Sequence, residues 1–209
     1  MKKTYRNALR SKAMIRQAFL ELLEEKEMDR ITVVDIVQRA DLSRNTFYAH
    51  YQDVNAVLEE FQQQMYDGLS CALDEAVAQK APDGMQHLLQ KMAEYVEENK
   101  RSFRVLMRAP CAQTDVLQHI KQMLVDRVMG AIDPRQVKDS KGLHIFLEVV
   151  TVGSLGLLYQ YLCDEVDLST EEIFTEAHRI FCEGLPRYCV AGYALPYSAA
   201  LDSAAASAL

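Results

Sequence analysis

Apolar residues recur at steps of three and four along most of this 209-residue chain, the signature of amphipathic helices. From Ser11 to Glu27, the residues Ile15, Ala18, Phe19, Leu22 and Leu23 fall on one helical face. The segment that follows opens with Ile31, Thr32, Val33 and Val34, β-branched residues whose propensity favours a strand. Capping chemistry decides for a helix. With Thr32 as N-cap, Asp35 completes a capping box and Ile31 and Ile36 form a hydrophobic staple, leaving Val33, Ile36, Val37 and Ala40 on one side. The device repeats at Ser43, an N-cap flanked by the staple pair Leu42 and Phe47, after the short link Asp41, Leu42, Ser43.

Two short helices joined by three residues form a helix-turn-helix. In that unit the second helix enters the major groove of double-stranded DNA and offers its first residues to base edges. Arg44 and Asn45 stand at those positions, with Phe47 and Tyr51 on the inner face. Arginine can grip guanine O6 and N7, and asparagine adenine N6 and N7. Thr46, Tyr48 and His50, with the cap residues Thr32 and Ser43, carry hydroxyl or imidazole groups suited to phosphate oxygens.

The stretch from Ser11 to Leu58, above all ITVVDIVQRADLSRNTFYAHYQDVNAVL, resembles the DNA-binding domain of the TetR family of bacterial transcriptional regulators. The resemblance implies that Arg44, Asn45 and Ala49 face bases while Thr46, Tyr48 and His50 hold the backbone. It also implies an all-α chain, with an N-terminal basic arm and three-helix reader over 1–58 and a helical regulatory and dimerisation domain over 59–191. Residues 192–209, rich in Ala and Ser, read as a loose tail. Two positions depart from the family pattern. Asp41 stands where the turn usually has Gly, and Val54 where the fourth helix usually begins with a phosphate-binding Lys.

Beyond Leu58 the apolar series Phe61, Met65, Leu69, Ala72 and Leu73 extends a helix to Gln79. Pro82, Pro110 and Pro134 then divide the middle into helices near 85–99, 102–109 and 114–129. The window 142–163 is almost long and apolar enough to span a bilayer, but Glu148, His144, Gln160 and three glycines oppose that reading. The segment 169–190 opens with a Ser169–Glu172 capping box and continues as an apolar stripe through Ile173, Phe174, Ala177, Ile180 and Phe181. Paired with the same two helices of a second copy, these segments would close a four-helix bundle, so a homodimer without a membrane span is expected. The run VGSLGLLYQYL is also similar to the C-terminal helix of one branch of the TetR family.

Charge sharpens the picture. Residues 1–20 hold six bases and no acid, whereas the whole chain carries a formal charge of −7. A basic arm bearing Lys2, Lys3, Arg6 and Arg10 on an acidic body fits an anionic partner met at one end only. The five cysteines form no CxxC pair and read as reduced thiols of a cytoplasmic protein. No HExxH, GxSxG or Gly-rich phosphate loop occurs, so neither an enzyme, a metal site nor a cofactor is expected. The expected function is that of a dimeric, ligand-responsive repressor on a palindromic operator; a relative that has exchanged DNA binding for a protein partner is the alternative. A small-molecule effector would sit between the fourth and eighth helices, among residues such as Met65, Met92, Tyr95, Phe103, Met107, Met123 and Tyr159.

Overall fold

The computed structural model describes residues 2–78, 84–108 and 110–190, and among them the secondary structure is helical apart from one isolated bridge between Val137 and Cys189. The helices are α1 (Lys2–Glu25), α2 (Val33–Arg39), α3 (Arg44–Tyr48), α4 (Val54–Ala78), α5 (Gly84–Glu98), α6 (Lys100–Arg108), α7 (Pro110–Ala131), α8 (Ser140–Leu162) and α9 (Thr170–Gly184). Short 3-10 turns at Met28–Arg30, Pro134–Gln136 and Leu185–Tyr188 complete the path. The expected tail over 192–209 lies outside the described residues.

Three boundaries differ from expectation for local reasons. α1 begins at Lys2 rather than Ser11, so the basic segment is a helical extension and not an extended arm; its polar residues carry no apolar period to reveal it. α7 begins at Pro110 rather than near 114, because a proline at the first helical position forfeits an N–H that has no helical partner anyway. α5 and α6 are separated by Asn99 alone, whose amide bonds to the Tyr95 carbonyl at 3.1 Å while its own carbonyl accepts from Phe103 at 3.0 Å.

α1, α2 and α3 bury Ile15, Phe19, Leu22, Ile36 and Phe47 against Val57 and Phe61 of α4. The same apolar cluster continues without interruption into the body, where α4 crosses the expected boundary at residue 58 as one unbroken helix. Gly68 permits the closest approach there: a Cβ at that position would lie 2.2 Å from the Tyr95 hydroxyl of α5. α8 packs between α7 and α9 on the face of Leu143, Leu147, Leu155, Leu158 and Leu162. Its other face leaves Ile145, Val149 and Val152 at 64%, 66% and 53% exposure. Gly153 and Gly156 share that side, with open space beyond both. α8 has the length and composition of a membrane-crossing helix, yet Glu148 on it is ion-paired to Lys121 of α7 at 3.0 Å.

Candidate nucleic-acid interface

The helix-turn-helix is assembled by short-range chemistry. Thr32 sits in extended backbone at φ −113°, ψ 159° and closes a full capping box: its Oγ1 accepts from the Asp35 amide at 3.2 Å, and its own amide donates to Asp35 Oδ2 at 2.8 Å. Lys26 adds an ion pair to the same carboxylate at 2.8 Å. The Lys26 ammonium, with the Thr32 hydroxyl and amide, holds the Asp35 carboxyl down to about 2. A depressed carboxyl stabilises the fold above its unfolded pKa, and that contribution disappears as pH falls through the folded value. Asp35→Asn is therefore expected to lower thermal stability near neutral pH, and its melting curve should converge on that of the parent between about pH 4 and pH 2. A difference that persists unchanged at the acid end would mean that the ionised cap is not the source.

α2 ends on Ala40, and Asp41 turns the chain at φ 52°, the left-handed region that glycine enters freely and aspartate tolerates better than most residues. The Leu42 amide then closes on the Val37 carbonyl at 2.9 Å. Ser43 caps α3, accepting from the Thr46 amide at 3.1 Å, and its hydroxyl lies 2.9 Å from that of Thr46. Phe47, fully buried, anchors the helix from beneath, with the rings of Tyr48 and Tyr51 at centroid distances of 5.6 and 5.8 Å.

This anchoring turns the remaining side chains outward together. Arg44, Asn45, Tyr48 and Ala49 are exposed, and Thr46 and His50 are half-buried. Among the described residues, Arg44 and Asn45 form no ion pair or side-chain hydrogen bond, which leaves their donors available to a partner. Thr32 and Ser43 are exposed at the two helix starts, although both hydroxyls already serve as caps. Val54 is half-buried and packs on the core at the start of α4.

The basic segment divides in two. Arg6 and Arg10 are exposed on α1, and Lys2 and Lys3 begin that helix, with side chains outside the described set. Lys12 and Arg16 are committed internally: both pair with Glu60 of α4, at 2.6 and 3.1 Å, and Lys12 stands 5.3 Å from the Tyr51 ring centroid. The Tyr51 hydroxyl is buried beside them with no hydrogen bond of good geometry among the described residues, and burial, with the nearby Glu60 carboxylate, pushes its pKa up to about 12. Sequence reasoning missed this clamp, as it missed the tie between reader and body, where Arg101 of α6 grips Glu24 of α1 with two hydrogen bonds of 2.6 and 2.8 Å. The Arg101 guanidinium holds the Glu24 carboxyl below its ordinary range.

The seven residues expected around an effector are not gathered about one cavity among the described residues. A cavity does lie in the body, but between α5, α7, α8 and α9, and of the seven residues expected only Met92 lines it. Met65, Phe103 and Met107 are buried in the core. Tyr95 donates its hydroxyl to the Met65 carbonyl at 3.1 Å and meets the Phe103 ring edge-on. Met123 and Tyr159 are partly buried packing residues. A methionine or aromatic at helical spacing fills core as readily as it lines a cavity.

An all-α body carrying a capped helix-turn-helix with a polar outer face is the arrangement in which a second helix can be offered to a major groove. The fold is that of the TetR family of transcriptional regulators, the family that the segment Ser11 to Leu58 resembles. No family model matches the chain. A curated relative, the uncharacterized HTH-type transcriptional regulator YxbF of Bacillus subtilis, is 26% identical over 100 residues, a match covering 46% of this chain and 26% of that protein's length. Among solved structures, the dihydroxyacetone kinase operon activator DhaS superposes with a TM-score of 0.62 at 15% identity, covering 86% of this chain and 98% of that one. Thermus thermophilus FadR, a TetR family transcriptional repressor in complex with lauroyl-CoA, gives 0.51 at 19% identity over 83% and 94% of the two chains.

Proposed function

We propose that this chain is a TetR-family transcriptional regulator that binds DNA sequence-specifically as a homodimer and represses transcription from a palindromic operator until an effector occupies its body. Residues 1–58 form the reader and 59–191 the regulatory and dimerisation domain, working in the cytoplasm. One observation carries the reading: α3 is docked by the buried Phe47 with Arg44 and Asn45 directed outward as a pair of uncommitted donors. In this reading Arg44, Asn45 and Ala49 face bases. Thr46, Tyr48 and His50 hold phosphates with help from Thr32 and Ser43, and Lys2, Lys3, Arg6 and Arg10 add non-specific attraction.

Dimerisation through α8 and α9 is supported by the exposed stripe of Ile145, Val149 and Val152. Contiguous exposed apolar surface of this kind marks an association site, and the open space over Gly153 and Gly156 lets a second helix approach closely. Two-fold symmetry then places the recognition helices in major grooves ~34–36 Å apart. An effector acts by favouring a body conformation with a different spacing, and the Arg101–Glu24 tie gives the body a grip on α1. The names of the structural neighbours include both an activator and a repressor, so the sign of control is read with a promoter reporter in the presence and absence of this gene.

The decisive measurement is quantitative DNA binding to genomic fragments selected by the protein. Arg44→Ala is expected to weaken binding to the selected site by ~1–3 kcal/mol and to relax preference at one base position. Equal loss on selected and random DNA would remove Arg44 from base reading. The substitution of Val54 for a basic residue gives the protein-binding alternative its support, and failure to retain any DNA at low salt would favour it.

A further inference from the structure

The Glu60 carboxylate of α4 gathers donors from two helices. Its Oε2 accepts from Lys12 of α1 at 2.6 Å, and its Oε1 accepts from Arg16 of α1 at 3.1 Å and from Gln64 of its own helix at 3.2 Å. Lys12 and Arg16 stand four positions apart on one face of α1, so a single carboxylate bridges two like charges. All three side chains are partly buried. Burial alone would raise the Glu60 carboxyl, but the two cations outweigh it and hold the carboxyl below its ordinary range.

The cluster reaches the recognition helix through one aromatic ring. Lys12 lies over the ring of Tyr51, which is buried. The Tyr51 amide donates to the Phe47 carbonyl at 3.0 Å, and its ring packs near those of Phe47 and His50 at centroid distances of 5.8 and 6.4 Å. A helix of five residues such as α3 takes its orientation from contacts of this kind. Glu60 thus stands two contacts away from α3: it holds Lys12, and Lys12 covers Tyr51. Without the negative charge, Lys12 and Arg16 would repel each other in a partly buried site, where charges are felt more strongly than in water. Both would turn toward solvent, and the Tyr51 ring would lose its cover.

We propose that Glu60 is a positioning residue for base recognition: through Lys12 and Tyr51 it sets the orientation in which α3 presents Arg44 and Asn45, and so governs discrimination between the selected site and random DNA. Lys12 and Arg16 accordingly serve the reader from within and do not add to its phosphate contacts. The inference rests on the reading of α3 as the base-reading helix, but the clamp itself is also measured without DNA.

Glu60→Gln keeps the size of the side chain and removes its charge. By fluorescence anisotropy, affinity for the selected site is expected to fall at least ~10-fold while affinity for random DNA holds or rises, because the reader has lost an acid. Partial unfolding would instead lower both together. Lys12→Ala, which uncovers Tyr51 and leaves the Arg16–Glu60 pair, should lower the ratio of the two affinities at least ~3-fold with no change in the salt slope on random DNA. Should Glu60→Gln fail to fold, Lys12→Ala carries the same test. Without DNA, hydrogen exchange of residues 44–51 should quicken at least ~10-fold in Glu60→Gln while that of α9 stays unchanged. Equal loss on both DNAs, a slope flattened by about 0.9 in Lys12→Ala, the mark of a lost phosphate contact, or unchanged exchange in 44–51 would each overturn the proposal. A parent chain that retains no DNA, with exchange in Glu60→Gln quickened as expected, overturns the regulator reading alone. One that binds its selected site, with ratio and exchange unmoved by Glu60→Gln, overturns this inference alone.

Discussion

Phe47→Ala is expected to cost about 3–5 kcal/mol of folding stability, a large share of the ~5–15 kcal/mol that a domain typically has. The side chain is fully buried, so its removal leaves a void under a helix of five residues. A helix this short cannot form without tertiary support. α3 should therefore lose its fixed orientation, and DNA binding should fall further than the bulk stability implies. Urea denaturation followed by circular dichroism gives the first quantity and fluorescence anisotropy with labelled DNA the second. Phe47→Leu, which keeps most of the volume, should retain most of both. A loss below ~1 kcal/mol for the alanine variant would show that α3 is not held from beneath.

The second large effect is expected on the exposed face of α8. Val149 and Val152 are 66% and 53% exposed, so replacing both by Glu should change the stability of an isolated subunit by only ~0.5 kcal/mol per site. In a dimer built on this face the same change buries two charges per subunit against their symmetry mates, which costs several kcal/mol and should dissociate it. Sedimentation equilibrium should then report a single chain mass where the parent shows twice that value. Affinity for a palindromic site should drop by at least ~100-fold, because the two half-sites are no longer joined. A variant that keeps twice the chain mass would place the dimer interface elsewhere.

What could be read from the sequence is what is held by residues three or four apart. The caps at Thr32, Ser43 and Ser169 each bond to the residue three positions on, and all three form. Phe47 and Tyr51 face inward and Tyr48 outward because the period of a helix assigns them so. The start of α1 was not legible, since its first turns carry little apolar pattern. Lys12 and Arg16 belong by sequence to the six bases of residues 1–20, but Glu60, 48 and 44 positions away, holds them. The tie between Arg101 and Glu24 spans 77 positions. The cavity escaped for a related reason. Which face of α5, α7, α8 or α9 looks into free space depends on how four helices pack, and no one helix records that. Of the seven residues expected there, Met92 lines it because its face of α5 points into that space.

α4 runs through 25 residues without a break, a rod of roughly 37 Å at the usual rise per residue. A pivot near its far end makes it a lever arm: a tilt of about 5° there would sweep the near end through ~3 Å, as far as a hydrogen bond is long. Small adjustments among the body helices are thereby magnified at the end that begins just past Tyr51. In the proposed regulator, a bound molecule that shifted its surroundings by a fraction of an ångström would take both recognition surfaces out of step with the grooves.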